Sequence, residues 1–276
     1  MTSMVQFARL AFVVVLVFLG QALDAANLET KHDTNRPLKV RLDYALATRS
    51  NDVAENRHQW VFSSHITFKE NVEVITDGQL LRMAGDAFAE MEADFLQYAP
   101  YLDKNGKPKM LPGAMSILAA GNEIFLSSSQ KGLSTFINEV ADSPVKRQLE
   151  VCFATWKLEH PDKDETDHKN NRRCGEIMTF HQYYKVHSEE LITLSPLARL
   201  TTVVRLARTG EMVLIPACGT GLEDRWGCDY FLKDHKAPPE KSDVVKYLDD
   251  KTLVAEEYTL DALAGGVRNI DQIESC

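Results

Sequence analysis

Three cysteines and one glutamate, carried on two short pieces far apart in the chain, constrain the fold of this sequence more than any other feature. The pieces are Arg173-Cys174-Gly175-Glu176-Ile177 and the run from Ile215-Pro216-Ala217-Cys218 to Trp226-Gly227-Cys228-Asp229. Together they supply the donors of a catalytic zinc: three sulfur ligands, one open coordination position and a carboxylate base beside it. A structural zinc would need a fourth ligand. Any fold that uses this set must bring residues 174, 218 and 228 to one point.

The first residues read as an export signal, with Arg9 ahead of an apolar run over 10–19 and small residues around Ala22, Ala25 and Ala26 where a peptidase could cut, so residues 1–25 are expected to be removed. That run is shorter than the ~20 apolar residues a membrane span needs, and no later stretch supplies one. The mature protein is therefore expected to be secreted, with no stable membrane association. Export places Cys152, Cys174, Cys218, Cys228 and Cys276 in an oxidising compartment, where two disulfides and one remaining thiol are the competing expectation. The balance of 31 Lys+Arg against 40 Asp+Glu, a net charge of −9, disfavours broad nonspecific attachment to polyanions or acidic membranes but leaves room for a small substrate or a locally basic groove.

Residues 40–44 and 60–68 read as strand pieces, and residues 79–98 carry Leu80, Leu81, Ala84, Phe88, Met91 and Phe95 at the spacing of an amphipathic helix. Two apolar runs, 114–120 and 123–127, flank Gly121-Asn122 and predict a β-hairpin. The polar run that follows, with Ser128, Ser129 and Lys131 as candidate substrate-binding residues, either faces a pocket at the end of the sheet or forms a plain polar connection. Residues 132–160 predict two helical pieces broken near Ser143-Pro144, with Cys152 a buried thiol or one end of a disulfide. Residues 161–173 predict an exposed loop, and His160 and His168, lacking a second ligand at regular spacing, are expected on the surface. Cys174 opens a helix whose stripe is Ile177, Met178, His181 and Tyr184; residues 198–207 and 211–215 predict apolar strand-like runs; Cys228 opens a helix over 228–236. Residues 244–248 predict a strand and 258–263 a helix. A cysteine at a helix N-terminus is favoured as thiolate by the unpaired N–H groups there. The alternation of hairpin, helix, strand, helix and strand indicates an α/β fold with helices packed on a central mixed sheet.

With those residues in place, the chain resembles the zinc-dependent cytidine deaminase superfamily, and in particular its secreted, toxin-like and fungal branches. That family's pattern is His/Cys-x-Glu opening one helix and Pro-Cys-x-x-Cys opening the next, across an intervening strand. Cys174-Gly175-Glu176 matches the first half, while Pro216-Ala217-Cys218 and Gly227-Cys228 match the second with Ala217 inserted and the gap between the cysteines expanded. The likeness covers residues 110–265, which places a deaminase-like catalytic domain over 110–276 and leaves 26–109 as an N-terminal segment of unassigned role. It implies that Cys174, Cys218 and Cys228 bind Zn2+ and that Glu176 takes a proton from water, lets hydroxide attack the ring carbon bearing the exocyclic amine, and returns the proton to the ring and the departing ammonia.

The implied substrate is a cytosine- or adenine-type base in a nucleoside, a nucleotide or a short single-stranded nucleic acid. Lys169, Arg172 and Arg173 flank the motif, with Lys104, Lys107 and Lys109 as candidates for its rim. The toxin-like branch implies an effector acting on another cell. The opposing class is a secreted, non-enzymatic effector or binding protein, with a degenerate deaminase fold or stapled by disulfides through the same cysteines.

Overall fold

The computed structural model describes residues 27–49, 58–98, 109–132, 135, 137, 140, 143–163, 167–222, 224–233 and 242–275. The expected export signal, Lys104, Lys107 and Cys276 lie outside them. In chain order the regular elements are β1 (Arg41–Leu42), α1 (Tyr44–Thr48), β2 (Phe62–Phe68), α2 (Asp77–Gln97), β3 (Ala114–Ala120), β4 (Glu123–Ser128), α3 (Pro144–Glu159), α4 (Gly175–Val186), β5 (Arg199–Arg205), β6 (Met212–Leu214), α5 (Cys228–Phe231), β7 (Lys246–Tyr247) and β8 (Val267–Asp271).

The fold is mixed α/β. Its single sheet runs β1-β2-β4-β3-β5-β6, with β7 also beside β5 and β8 also beside β2. Every pairing is antiparallel except that of β5 with β7. The expected hairpin is the centre of this sheet. Ala120 and Glu123 close it across a two-residue turn in which Gly121 has φ +58°, a conformation that glycine adopts without a Cβ penalty.

Both faces of the hairpin are covered, which is why its two apolar runs are nearly continuous rather than alternating with charge. Met115, Ile117, Ala119, Ile124 and Leu126 face α2, joining Leu80, Met83, Ala84, Ala87, Met91 and Phe95 in one core. Leu118, Ala120 and Phe125 face the opposite way and join Leu149, Trp156, Ile177, Phe180 and Phe231 from α3, α4 and α5. The N-terminal segment contributes to the first of these cores through Leu38, Val40, Leu42, Trp60, Phe62, Ile66 and Phe68.

α2 is the longest helix among the described residues, and its start is defined by a capping box between Thr76 and Gln79. It carries two carboxylates into the core: Glu90 accepts from Leu38 N at 2.8 Å and Val40 N at 3.0 Å, and Asp94 accepts from Leu42 N at 2.7 Å. These bonds satisfy backbone donors of the short edge strand that a neighbouring strand leaves unpaired.

Several elements differ from the sequence reading. Only Arg41 and Leu42 of the stretch 40–44 pair as a strand, because Asp43 turns the chain and caps α1 through Leu46 N. The helix expected over 228–236 stops after one turn, at Phe231. Residues 258–263 form turns and no helix, and the chain then adds β8 to the edge beside β2, a strand the sequence did not announce. Tyr258, Leu260 and Leu263 are apolar contacts of the first core, so their helix-like spacing serves tertiary packing. Among the described residues no helix is long and apolar enough to cross a membrane.

Burial pushes the Asp94 carboxyl up to about 6, against the pull of the Leu42 N–H bond. A raised carboxyl favours the protonated form in the folded chain, so this group's contribution is lost as pH rises from the unfolded value of about 4 through about 6. Asp94→Asn, whatever fixed cost it carries from replacing an acceptor oxygen with a donor, is expected to remove that slope. Denaturant unfolding at a series of pH values between 4 and 7 checks it: wild type minus variant must change across the window and be flat above it.

Candidate metal centre

The second core holds the three cysteines. Cys174 is the N-cap of α4 in extended conformation, placed by the end of β4 through the bond from Gln130 N to Arg173 O at 2.9 Å. The residue after it has to be glycine. A Cβ on Gly175 would lie 2.5 Å from Ser116 Oγ and 2.9 Å from Ser127 O, so the start of α4 sits directly on the hairpin. This close seat directs the first turn of α4, and with it Glu176, over β3 and β5.

Cys218 and Cys228 are nine intervening residues apart in sequence, yet the chain folds back so that they adjoin. Gly219 and Gly227 make the crossing: a Cβ on Gly227 would lie 2.2 Å from Cys218 O, and one on Gly219, whose φ is +94°, 2.8 Å from Gly227 N. Asp229 N donates to Cys218 O at 3.1 Å, and Cys228 N donates to Cys218 Sγ at 3.2 Å. The expanded gap between these two cysteines is thus closed by backbone contact.

A fourth residue joins them. His168 was expected on the surface and is instead 1% exposed, enclosed beside Trp226, whose ring meets it edge-on at 4.9 Å. Its Nε2 lies 3.8 Å from Cys218 Sγ and 3.7 Å from Cys228 Sγ, and Cys174 Sγ is 3.3 Å from Cys218 Sγ. The ligand atoms of His168, Cys174, Cys218 and Cys228 all fall within 4.8 Å of one another, and this group could hold a metal ion. Ideal tetrahedral zinc places two sulfurs about 3.8 Å apart and a sulfur and a nitrogen about 3.6 Å apart, given Zn–S and Zn–N bonds of about 2.3 and 2.0 Å. The two sulfur–nitrogen separations lie close to that scale and the sulfur–sulfur separation is shorter than it, and thiolate with imidazole is a donor set that suits zinc. None of the four described cysteines, at 152, 174, 218 and 228, is in a disulfide.

The sequence signal for His168 was weak because 161–173 is otherwise charged and polar. The local turn explains its burial. Asn171 and Arg172 both have positive φ, 50° and 60°, which turns the backbone sharply back between His168 and Cys174. Lys169 N bonds Trp226 O at 2.8 Å and pins this turn against the 218–228 loop. His160 is not in the group; it stacks on Trp156 and its Nδ1 meets Trp156 O at 3.0 Å.

Without a metal the sulfurs share protons. Hydrogen bonds from the Cys174 and Cys228 thiols, with a further one involving His168, hold Cys218 well below the ordinary thiol range as the thiolate of the set. Cys174 is pushed up, chiefly by its bond with Cys218, and Cys228 is pushed up by burial. Asn170 Nδ2 adds a bond to Cys174 Sγ at 3.4 Å.

Glu176 is 3% exposed, and its carboxyl is pushed up to about 7, first by burial and then by the negative charge on Cys218. Tyr247 Oη lies 3.4 Å from Glu176 Oε1 and 3.1 Å from Ile215 O, with one proton to donate between them, so β7 sets the glutamate against the segment that leads to Cys218. Thr202 of β5 bonds the same carboxylate, and its hydroxyl pairs with Ser116 Oγ at 2.7 Å.

An open cleft of 450 Å³ reaches this group, and Cys174, Cys218 and Glu176 line it. Ser129 and Lys131 also line it; Ser128 does not. The Ser128 side chain points into the sheet, where its hydroxyl accepts from Phe62 N at 2.9 Å and donates to Ser129 O at 2.9 Å. Lys169 and Arg173 stand at the cleft wall, whereas Arg172 lies over the Trp226 ring. A larger cleft of 710 Å³ between α3 and α4 contains none of the four metal-ligating candidates.

Comparison of the chain with protein-family models, curated proteins and solved structures returns no match. The reading of the site therefore stands on its own geometry.

Gly175→Ala is expected to cost ~1–3 kcal/mol from overpacking and to displace the start of α4, lowering metal affinity as well. Denaturant midpoints and metal titration of the variant check both effects; unchanged values in the two measurements would contradict the close seat of α4.

Proposed function

We propose that the chain is a secreted zinc-dependent hydrolase that removes the exocyclic amine from a cytosine- or adenine-type base. The observation that carries this reading is that Glu176 and two of the three clustered sulfurs line one cleft. The arrangement of elements supports it further. Cys174-Gly175-Glu176 opens α4, Cys228 opens α5, and β5 runs between them, in the order that the deaminase resemblance implies.

When bound, zinc would supply a water of lowered pKa beside the cleft. Glu176 is the group that holds the proton. Its carboxyl, pushed to about 7, exchanges a proton near neutral pH, so it is fitted both to accept one from water and to return it to the ring nitrogen and the departing ammonia. Tyr247 Oη stands 3.4 Å from one of the glutamate's carboxylate oxygens, Oε1. Thr202, 1% exposed, lies at the base and completes the carboxylate's polar contacts. Burial of this pair keeps bulk water from competing for the proton.

The cleft wall supports a substrate that carries phosphate. Lys131, Lys169 and Arg173 place three cationic side chains around it, despite the chain's net charge of −9. A nucleotide or a short single-stranded nucleic acid fits this distribution better than a free nucleoside, and a polymer would add contacts that weaken steeply with salt. An export signal over 1–25 would place such an enzyme outside the producing cell, as an effector.

One observation favours a second reading. His168 Nε2 lies close enough to the sulfurs to be counted as a fourth ligand. A closed four-ligand site is the form of a structural zinc, and the chain would then be a non-enzymatic secreted binding protein or effector.

Glu176→Gln separates these readings. The enzyme reading expects zinc to be retained and ammonia release from a panel of nucleosides, nucleotides, single-stranded DNA and RNA to fall by roughly 10²–10⁴-fold, the usual contribution of a general acid–base group. Wild-type protein that holds zinc but releases no ammonia from any of them supports the structural reading. For a polymer substrate, activity should also drop sharply as salt is raised, whereas nucleoside turnover should barely change.

A further inference from the structure

The position of His168 admits two chemistries: it can ligate the metal, or it can donate a hydrogen bond to sulfurs that do. The hydrogen bonds on its other ring nitrogen distinguish them. Nδ1 accepts from Asn170 N at 3.1 Å and from Arg172 N at 3.2 Å. Two N–H groups aimed at one ring nitrogen require a lone pair there, so the ring's single proton sits on Nε2. A histidine that ligates a metal through Nε2 has the opposite arrangement: its other nitrogen carries the proton and donates it to a carboxylate, a carbonyl or water. Among the described residues no carboxylate or carbonyl meets Nδ1, and Nε2–H points at Cys218 Sγ and Cys228 Sγ at 3.8 and 3.7 Å.

We infer that His168 is not a ligand but an N–H···S donor, which holds the Cys218 and Cys228 sulfurs from the buried side and leaves the coordination position facing the cleft open. This rests on the reading of the three cysteines as a metal centre. A second, independent placement agrees with it. Cys174, Cys218 and Glu176 line the cleft, whereas Cys228 and His168 do not; the histidine stands behind the sulfurs, walled in by Trp226.

The consequence is electrostatic. Three thiolates on a divalent ion leave a net charge of about −1, which weakens the ion as a Lewis acid. An N–H donated to two of them draws charge off the sulfurs without neutralising them and returns part of that acidity. His168 is thus a positioning residue that acts through Cys218 and Cys228. The left-handed turn at Asn171 and Arg172 is what presents the two backbone N–H groups to Nδ1 and so fixes the tautomer.

The test needs no variant at first. In zinc-loaded wild-type protein labelled with nitrogen-15 at histidine, the ring Nε2 of His168 should keep the shift and attached proton of a protonated nitrogen, and X-ray absorption at the zinc edge should show three sulfurs with no imidazole scattering. A metal-bound Nε2, or imidazole scattering that disappears in His168→Ala, overturns the inference while leaving the metal centre intact. Protein that binds no zinc at all overturns both this inference and the reading under it. In the cobalt-substituted protein, His168→Ala should keep all three sulfur ligands, lose roughly 10–100-fold in metal affinity, and move the sulfur-to-cobalt charge-transfer band to longer wavelength. An unmoved band means that no hydrogen bond to sulfur was lost and contradicts the inference.

Discussion

Three sulfur atoms crowded together beside a cleft, two of them on buried cysteines, govern how this half of the molecule is built. Fully ionised and unaccompanied they would repel one another in a medium that screens charge poorly. The protein resolves this in the metal-free state by leaving protons on Cys174 and Cys228 and stabilising Cys218 with hydrogen bonds from both. A divalent cation would release those protons and replace their bonds, so binding of the ion and consolidation of this half of the molecule are one equilibrium. The turn at 168–173, the one-turn helix α5 and the loop between Cys218 and Cys228 all close on that point, with Trp226 and Phe231 buried in the core beside it.

The hairpin provides the platform. Its strands are covered on both faces, yet near the cysteines it changes character: Ser116 and Ser127 replace large apolar residues where α4 begins, and Gly175 lets the helix settle onto them. Small side chains at this contact bring Glu176 over Thr202 of the adjacent strand, and the parallel strand β7 supplies Tyr247 from the far side. The carboxylate is thereby buried beside hydroxyl groups, and burial together with the charge on Cys218 raises its pKa toward neutrality, outweighing the downward pull of those hydroxyls' hydrogen bonds. A lysine or arginine in place of either hydroxyl would hold the carboxyl low and remove its capacity to exchange protons at neutral pH.

The centre is two-sided. Toward the cleft it presents Cys174, Cys218 and Glu176 with cationic residues around them; toward the core it is closed by Cys228, His168 and Trp226. In the proposed reading this polarity belongs to a reactive site, with the buried carboxylate of Glu176 set beside the opening. It also assigns separate tasks to neighbouring residues in the 168–173 turn. His168 faces inward to the sulfurs, Asn170 bonds Cys174, and Lys169 and Arg173 line the cleft.

Local periodicity and local chemistry encode a definite part of this architecture. The hairpin around Gly121-Asn122, the amphipathic helix that became α2, the helix opened by Cys174-Gly175-Glu176 and the α/β class all follow from spacing along the chain, because apolar faces must be buried and turns need particular residues. Tertiary structure alone decided which distant groups meet. His168 sat in a charged stretch with no partner at ligand spacing, and only the docking of that turn against Trp226 buries it; Tyr247 and Thr202 reach Glu176 through strand pairing that no short window reveals. Ser128 and Ser129 looked equivalent as neighbours, but successive residues at the end of a strand face opposite ways, so Ser128 is enclosed, accepting from Phe62 N, while Ser129, which accepts from Ala114 N at 3.3 Å, reaches the cleft. Convergence in space is set by how the layers pack, and packing depends on the whole chain at once.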